Sequence, residues 1–358
     1  MTQLLTYPEI DPQQWQALVD SSPYATWFQT PEAYQFYAAN PEEMTPFALG
    51  VEEDGHLAGV IVGYTTQEKC IFKQYFTART IIPGGPLLAN CISETALAEL
   101  LNAVSQIKVE SVKCKGNENN VAKTTASSPH RLIKPIYIES RNFHDYSKWR
   151  NIFDANGFAY QPHLNYHVDT TSLDQAQARI GKHRWRYIRL SMRDGAKIVD
   201  TPTIEQVRAF YTILQDLYRT KVRTPLWSWD FFERLFHTEH ARYILVELDG
   251  QIVGGTACVC LPGKAVYEWY ACGLDYCRDD IRPLSVAIWG EMQYAAENGY
   301  PLFDFMGAGS PDQPYGVRDF KAEFGGELVE HGRFLCVRKP LLYKIGKMGV
   351  KWLKRNIK

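Results

Sequence analysis

Two distant stretches of the chain share one pattern: an apolar run, a short polar turn and a second apolar run. The first reads TPFALGVEEDGHLAGVIVGYT (45–65) and the second reads ARYILVELDGQIVGGTACVCL (241–261). An Asp-Gly pair between two such runs predicts a β-hairpin with a two-residue turn. Gly55 aligns with Gly250, so the pattern also predicts an internal repeat.

The segments around the two hairpins repeat as well. Aromatic-rich segments with helix-capping residues precede the hairpins at 28–37 and 226–235, and each predicts a helix. A strand, a helix and a strand are expected after each hairpin, at 79–88, 96–107 and 133–140 in the first half and at 265–273, 285–299 and 301–308 in the second. This repeat predicts an α/β (α+β) protein of two tandem domains, each with a mixed, mostly antiparallel sheet flanked by helices.

The repeat also sets the expected domain boundaries. We expect a first domain at 1–170, a basic connecting helix at 171–197, a second domain at 198–338 that includes the motif-rich stretch 302–334, and a basic amphipathic helix at 339–358. The connecting helix is expected to end at Gly195. A polar stretch without periodicity at 113–131 is interpreted as a loop.

Composition and charge narrow the class of protein. The 358 residues exceed one ordinary domain, and 45% apolar with 22% charged residues is typical of a folded chain. A net charge of -1 argues against a basic field over the whole protein, although 338–358 carries eight Lys or Arg and no acid. No apolar run approaches the roughly 20 residues of a membrane-spanning helix, and the N-terminal sequence is unlike a signal peptide. We therefore expect the protein in the cytoplasm, or at the inner face of the membrane.

Several familiar motifs are missing from the sequence. The eight cysteines form no Cys-x-x-Cys pair and have no histidines at metal-ligand spacing, so reduced, buried thiols and no metal site are expected. The chain has no phosphate-binding G-x-x-x-x-G-K-[ST], no G-x-S-x-G and no G-x-G-x-x-G after a strand. These absences argue against a kinase, an α/β-hydrolase and a dinucleotide-dependent oxidoreductase.

Basic side chains recur along one face of the expected connecting helix. At 100° per residue, the cationic row comprises Lys182, Arg186, Arg189 and Arg193, beside an apolar stripe of Trp185, Ile188 and Met192. Such a row suits a ligand that carries phosphate groups. A solvated helix face is the alternative interpretation.

The stretch 302–334 contains the densest set of candidate catalytic residues. A short strand is expected to lead into a Gly-, Ser- and Pro-rich loop, and such loops at strand ends often carry active sites. The polar candidates are Asp304, Asp312, Tyr315, Arg318, Asp319 and Lys321. Arg318 and Lys321 can face an oxyanion or a phosphate, and Asp304 or Asp319 can accept a proton. A structural turn with local ion pairs is the alternative.

Weaker candidates lie on other strands and helices. Glu268 stands between aromatic residues on an expected strand, so it needs a buried partner, for which Arg318 and Lys321 are the candidates. Pro283 is expected in the first turn of a helix whose N-terminus can hold an anion. Arg141 belongs to a polar cluster at the end of a first-half strand, which core-capping salt bridges explain equally well.

The C-terminal segment has the pattern of a basic amphipathic helix. One line contains Leu341, Ile345, Met348 and Trp352, and another contains Lys344, Lys347, Lys351, Lys354 and Lys358. This pattern is typical of contact with an anionic membrane surface. A helix that packs on the body with its lysines in solvent is the alternative.

These features together resemble the Fem family of peptidoglycan-bridge aminoacyltransferases, which have tandem acetyltransferase-like (GNAT) domains. The stretch FDFMGA…YGVRDFKAEFGGELVE (303–330) is similar to the family's strand, glycine loop and F-K-x-x-F-G signature, and the resemblance covers roughly 25–340. It implies an enzyme that moves an amino acid from aminoacyl-tRNA to an amine of a cell-wall precursor, without a metal or bound cofactor.

The resemblance also implies roles for individual residues. Lys321 matches the lysine of the signature and would stabilise the tetrahedral intermediate or bind phosphates from the tRNA. The basic residues that would contact precursor phosphates match Lys182, Arg184 and Arg186 loosely. The expected catalytic residues are Lys321, Asp304 and Arg318, and the expected substrate-binding residues are Tyr315, Phe320, Glu268, Lys182, Arg184, Arg186, Arg189 and Arg141.

Two departures from the family keep other functions open. The coiled-coil arm with which some members bind tRNA has no counterpart in this sequence, and neither has the acetyltransferase loop R/Q-x-x-G-x-G/A. One alternative is an N-acyltransferase that uses acyl-CoA on a surface glycan or lipid. Another is a non-catalytic binder of anionic envelope precursors or of the membrane. The expected partners are a nucleotide- or lipid-linked muropeptide and tRNA, and the expected state is a monomer.

Overall fold

The structure is a computed structural model that describes residues 1–66, 71–110, 132–274, 278 and 280–355. The expected loop at 113–131 lies outside these residues. The chain divides into two compact units, one formed by Met1–Gln161 with Gly332–Lys358 and the other by Pro162–His331.

The first unit begins with a sheet and its covering helices. Their bounds are β1 (Thr2–Thr6), α1 (Pro12–Ser21), α2 (Pro31–Ala38), β2 (Met44–Glu53), β3 (His56–Thr66), α3 (Ile71–Thr77), β4 (Thr80–Gly84), β5 (Leu87–Leu88), α4 (Glu94–Ser105), β6 (Val109–Glu110), β7 (Leu132–Ile133), β8 (Tyr137–Asn142), α5 (Arg150–Ala155) and β9 (Ala159–Gln161).

The second unit follows without interruption. Its elements are β10 (Leu164–Asp169), α6 (Leu173–Arg179), α7 (Lys182–Arg193), β11 (Lys197–Val199), α8 (Ile204–Leu217), α9 (Trp229–Phe236), β12 (Ala241–Leu248), β13 (Gln251–Leu261), β14 (Ala265–Gly273), α10 (Pro283–Glu297), β15 (Leu302–Asp304), α11 (Gly316–Ala322) and β16 (Glu327–Glu330). The chain then returns to the first unit with β17 (Arg333–Val337) and α12 (Pro340–Arg355).

Each unit is built on one mixed sheet. The strand order is β1-β2-β3-β4-β8-β17-β9 in the first unit, with β5 on β3, and β11-β12-β13-β14-β15-β10-β16 in the second. The pairs β4–β8 and β14–β15 are parallel, and the other neighbours in these two orders are antiparallel. The predicted fold class, two tandem α/β domains with mostly antiparallel sheets, is confirmed.

Both predicted hairpins form at their Asp-Gly pairs. The four turn residues have positive φ, 50° and 82° at Asp54 and Gly55, and 50° and 77° at Asp249 and Gly250. Two consecutive positive φ angles define the type I′ turn, which matches the twist of the flanking strands. The helices and strands expected around each hairpin also form.

The irregularities of the two hairpins repeat as well. The register of β2 against β3 shifts after Val51, and that of β12 against β13 shifts after Val246, at the aligned position. A bulge increases the local twist of the strand that carries it. The repeat between the two units therefore includes the position of this bulge in the strand pairing.

The domain boundaries differ from the predicted ones in two places. The first segment of the first unit ends at Gln161 instead of 170, because β10 pairs with β15 and β16 in the second sheet. The C-terminal side differs as well. β17 was expected in a second domain at 198–338, but it pairs with β8 through Arg333 and Arg141 and with β9 through Arg333 and Gln161. The second unit is therefore inserted between β9 and β17 of the first. The predicted boundary was wrong because strand pairing between distant segments leaves no local pattern in the sequence.

The single connecting helix expected at 171–197 is two helices. α6 ends at Arg179, and α7 starts at Lys182 after an extended Gly181 with ψ of 131°. The Gly181 N–H donates to the Glu323 carbonyl at 2.8 Å, and this hydrogen bond to a distant segment stabilises the break between the two helices. Gly195 has a φ of 111° and follows the end of α7, as expected. Both helices belong to the second unit rather than to a separate linker.

Aromatic and aliphatic side chains fill both interiors. In the first unit, the Phe334 ring from β17 stacks on that of Phe153 at 3.8 Å between centroids. In the second, α10 is buried on almost every face, and Ile288 and Met292 from this helix pack in one core cluster with Phe303.

The cysteines match the expectation only in part. Cys258, Cys260, Cys272 and Cys336 are buried free thiols, whereas Cys91 is exposed because it lies in the turn before α4. Cys70, Cys114 and Cys277 lie outside the described residues. No helix of the described chain combines the length and apolarity needed to cross a bilayer.

Candidate functional site

The candidate site lies where the parallel strands β14 and β15 of the second unit part. Their pairing covers Ala265–Tyr267 against Leu302–Asp304, whereas β14 continues to Gly273 on β13 alone. Glu268 is the first residue of β14 beyond this pairing. The corresponding strands of the first unit, β4 and β8, stay paired along all of Thr80–Gly84. The gap is therefore a feature of the second sheet.

Lys321 lies beside this gap and contacts three groups. Its Nζ donates to the carbonyl oxygens of Phe305 at 2.7 Å and Gly307 at 3.1 Å. The Glu268 carboxylate is 3.7 Å away, which forms an ion pair but exceeds hydrogen-bond length. The expected pairing of Glu268 with Lys321 is thus present. The two carbonyls take up two of the three N–H groups of Lys321.

The carboxyl of Glu268 has a pKa at which it can accept a proton near neutral pH. Burial raises the pKa of its carboxyl to about 7, and Asp304 adds to this rise, against the lowering effect of Lys321. Its second oxygen, Oε2, has no hydrogen-bond partner among the described residues. A carboxyl group with a pKa near the working pH is suited to general acid–base catalysis.

Asp304 is occupied by structural hydrogen bonds. Its Oδ1 accepts from Asn165 Nδ2 and from the Met306 N–H, both at 2.6 Å, and its Oδ2 lies 3.1 Å from His167 Nε2. Burial raises the pKa of Asp304, but the bonds from His167, Asn165 and the Met306 N–H outweigh burial and hold this pKa below its usual range. The geometry fits Asp304 as a positioning residue at the end of β15 better than as the base expected from the sequence.

Arg318 does not approach the gap. Its guanidinium donates to the carbonyl oxygens of Ser310, at 3.0 Å, and Gln313. Tyr315 is 43% exposed and its carbonyl accepts from the first turn of α11. The two residues thus organise the loop between β15 and α11, and the expected oxyanion role of Arg318 finds no support in this geometry.

A cavity of about 490 Å³ opens at the N-terminus of α10. Its lining is formed by Arg184, Gly273, Leu274, Ile281, Arg282, Pro283, Leu284, Ser285 and Phe320. Pro283 occupies the first turn of α10, as the sequence predicted, and this turn contains no acid. Two arginines and the positive end of a helix dipole make the cavity suited to an anionic group.

Arg184 is fixed at the wall of this cavity. Its guanidinium lies 4.4 Å from the centre of the Phe320 ring and donates to Ser285 Oγ at 2.8 Å and to Glu323 at 3.1 Å. Because Phe320 precedes Lys321 in α11, one short helix contributes both to the cavity and to the Lys321–Glu268 pair. The cavity and the Lys321–Glu268 pair are therefore linked through α11.

The other basic residues predicted from the sequence lie elsewhere. Lys182, Arg186 and Arg189 are exposed on α7 and do not line the cavity. Arg141 belongs to the first unit, where it and Arg333 flank Glu139 at 2.8 and 3.1 Å. Burial raises the pKa of Glu139, but these two guanidinium groups lower it to about 2.

The helix of the first unit that corresponds to α10 is α4, and a carboxylate of the same unit occupies its N-terminus. The carboxylate of Glu53, at the end of β2, accepts from the Ser93 N–H at 2.9 Å at the start of α4. The aligned residue of the second unit is Leu248, which packs with Ile281 and Val286 at the start of α10. At the start of α10 the corresponding N–H, that of Arg282, donates to Ser191 Oγ at 2.9 Å. The first unit thus places a carboxylate at this position, and the second places a neutral hydroxyl there.

Sequence reasoning missed four residues of the second unit. His167 and Asn165 hold Asp304, Arg282 lines the cavity, and Glu291 is fully buried on α10 with both carboxylate oxygens unpartnered among the described residues. Burial raises the pKa of Glu291 well above its usual range, and Glu268 adds to this rise. An acid within the mostly apolar run SVAIWGEM at 285–292 was the signal that could have identified Glu291.

Both units have the mixed, mostly antiparallel sheet with one parallel pair of strands and flanking helices that is typical of the GNAT fold. In the second unit the parallel strands also part, and a cavity opens at the N-terminus of α10. A family model described as "Acetyltransferase (GNAT) domain" matches residues 182–321, within the second unit. No curated protein matches the chain in sequence.

Solved structures confirm the tandem arrangement. FemX superposes with a TM-score of 0.68 at 15% identity, over 96% of this chain and 99% of that one. The C-terminal domain of a putative lysylphosphatidylglycerol synthetase from Agrobacterium fabrum gives 0.57 at 10% identity, over 95% and 96%. A tandem GNAT protein from the clavulanic acid biosynthesis pathway gives 0.53 at 10% identity, over 94% and 98%. The predicted resemblance to the Fem family is thus confirmed at the level of the fold.

Proposed function

We propose that the protein is an aminoacyltransferase that moves an amino acid from aminoacyl-tRNA to an amine of a cell-envelope precursor, a nucleotide- or lipid-linked muropeptide. The observation that carries this proposal is the cavity at the start of α10, because one of its two arginines, Arg184, packs on Phe320 of the helix that bears Lys321. The likeness to FemX and to a lysylphosphatidylglycerol synthetase supports aminoacyl transfer over other acyl groups.

In the proposed reaction, two arginines bind the donor, and Lys321 and Glu268 act on the reacting atoms. Arg184 and Arg282 hold phosphate at the cavity and bring the donor ester to Lys321. The acceptor amine attacks the ester carbonyl, and the third N–H of Lys321 stabilises the oxyanion that forms. Glu268 accepts the amine proton, the carbon–oxygen bond of the ester breaks, and the proton passes to the departing hydroxyl of the tRNA. An amide and free tRNA result.

One observation favours acyl-CoA as an alternative donor. A helix N-terminus with two arginines is also a site for the pyrophosphate of an acyl-CoA. The chemistry at Lys321 and Glu268 would be the same, with a thiol as the leaving group. The donor therefore has to be decided by experiment.

The test follows label from a pool of radiolabelled aminoacyl-tRNAs to the muropeptide precursors. Wild type and Lys197→Gln, a control at an exposed lysine of β11, are expected to transfer label equally. Lys321→Gln keeps a donor for the two carbonyls but loses the charge, and we expect a rate lower by about 10²–10³. Arg282→Gln is expected to raise KM for the donor more than it lowers kcat.

The possible results of this test distinguish between aminoacyl transfer, acyl transfer from acyl-CoA and non-catalytic binding. Near-UV circular dichroism at the assay temperature shows whether Lys321→Gln is folded, and a rate equal to wild type in the folded variant contradicts the role of Lys321. No transfer from any tRNA, together with protection of the protein by acyl-CoA, supports the second donor. Without transfer from either donor, the non-catalytic binding function is the one that remains.

A further inference from the structure

Among the side chains of α12 that the structure describes, at 340–349, Tyr343 contacts the sheet of the first unit while others are exposed. Tyr343 packs against the ring of Tyr137 at 5.7 Å between centroids. Leu341, Ile345 and Met348 are 75%, 59% and 71% exposed. At 100° per residue these three side chains lie on the side of the helix opposite Tyr343. The helix therefore presents a continuous apolar stripe to solvent.

A second exposed apolar pair adjoins the start of this helix. Tyr75 and Phe76 of α3 are 44% and 55% exposed, and their rings contact each other at 5.1 Å. Lys339, just before α12, donates from Nζ to the Tyr75 carbonyl at 2.8 Å and lies 3.7 Å from the centre of its ring. The stripe of α12 and the aromatic pair of α3 thus belong to one surface, which we call the α3–α12 face.

The charged residues of this face all have one sign. Backbone hydrogen bonds from Ile136 to Ala78 and from Arg338 to Ile136 join three segments, 71–79, 132–138 and 338–349, and none of them contains an acid. Their basic residues are Lys73, Arg79, Lys134, Arg338, Lys339, Lys344 and Lys347. Leu132, 56% exposed, adds to the apolar part.

We propose that the α3–α12 face docks on an anionic lipid bilayer, with its apolar side chains in the interfacial region and its lysines and arginines at the lipid phosphates. Apolar side chains interleaved with lysines are typical of helices that lie in a membrane surface. A protein partner is the poorer fit, because lysine is depleted in protein–protein interfaces. This inference is independent of the transfer reaction, since lipid binding needs no turnover.

The test measures sedimentation of the full chain with vesicles of phosphatidylcholine alone or of an equimolar mixture with phosphatidylglycerol. We expect binding to the mixed vesicles that weakens as salt is raised, because the phosphate contacts are screened. Ile345→Gln is expected to lower the partition coefficient about tenfold. Lys344→Gln with Lys347→Gln is expected to lower it about 30-fold, from roughly 1 kcal/mol per basic residue.

Matched controls use exposed residues on other elements. Leu4→Gln changes a 45% exposed leucine on β1, the edge strand of the same sheet, and Lys197→Gln changes an exposed lysine on β11. Both are expected to bind like wild type. Equal binding to the two kinds of vesicle, no binding, or equal loss in the controls overturns the proposal. A dimer in solution that Ile345→Gln abolishes also overturns it, because a second copy then covers the face.

Discussion

Glu268 and Lys321 form a buried pair in which the carboxyl changes its charge near neutral pH. The carboxyl is buried at the edge of the strand gap, and its pKa of about 7 means that it exchanges a proton near neutral pH. Lys321 is fixed by two backbone carbonyls, so its position does not depend on the charge of Glu268. The site can therefore release and accept a proton without moving the ammonium group.

This titration predicts a measurable pH dependence of stability. The folded-state pKa of Glu268 is raised from 4.5 to about 7, so its contribution is fully present below 4.5 and is lost as the pH rises through about 7. Relative to Glu268→Gln, wild type is expected to lose on the order of 3 kcal/mol of unfolding free energy over this interval. Urea unfolding of both proteins between pH 4 and 8 measures the difference, and parallel curves would contradict the assignment.

At the scale of elements, the hairpin and the helix that follows it repeat between the two units, but one residue beside the helix N-terminus differs. The turns, the bulges and the helix positions repeat, but Glu53 of the first unit is replaced by Leu248 in the second. A carboxylate at the start of α4 satisfies the helix N-terminus from within. At the start of α10 the Ser191 hydroxyl accepts the corresponding N–H of Arg282 instead, so the helix N-terminus carries a carboxylate in one unit and an uncharged partner in the other.

The type I′ turns predict a specific effect of a small substitution. Nothing lies within 4 Å of a Cβ added to Gly250, so Gly250→Ala introduces only the strain of its φ of 77°. We expect a loss of about 1–2 kcal/mol in unfolding free energy, measured by urea denaturation. Gly346→Ala also meets open space but lies in a helix, where it is expected to be neutral or stabilising. A comparable loss in both variants would show that the backbone angle is not the cause.

The sequence predicts those elements whose signal is local. Asp-Gly pairs specify their own turns, and Pro283 marks the first turn of α10. The break at Gly181 escapes prediction because its hydrogen-bond partner, the Glu323 carbonyl, belongs to a distant segment.

The same limit applies to the candidate site. Lys321 and Glu268 could be paired from the sequence because a buried acid requires a cation. The partners that make Asp304 fit a positioning role better than that of a base could not be predicted, because Asn165 and His167 lie on a strand more than a hundred residues earlier. Side-chain type suggests chemistry, but only the neighbours decide whether a carboxylate is free to act.

At the scale of the whole molecule, the first unit depends on a strand from the end of the chain. β17 lies between β8 and β9, and its Phe334 stacks on Phe153 in the core. The second unit, Pro162–His331, is continuous and contains its own sheet and core. The two units therefore differ in what each needs in order to fold.

Removal of residues 332–358 is expected to unfold the first unit and leave the second intact. β9 loses its pairing partner, and the core loses a fully buried aromatic ring. Limited proteolysis followed by mass spectrometry is expected to degrade 1–161 and to leave a resistant fragment near 162–331. A truncation that stops after residue 338 retains β17 and serves as the control. Equal protease resistance of both units in the shorter chain would contradict this dependence.

The return of β17 has a consequence for synthesis on the ribosome. Translation delivers the N-terminal half first, yet the sheet of that half cannot close until Arg333–Val337 has left the exit tunnel. The later-made second unit is contiguous and can complete its own sheet before then. Maturation of this protein therefore runs against the order of translation: the nascent chain must keep an open sheet edge between β8 and β9 unpaired until the last strand arrives to fill it.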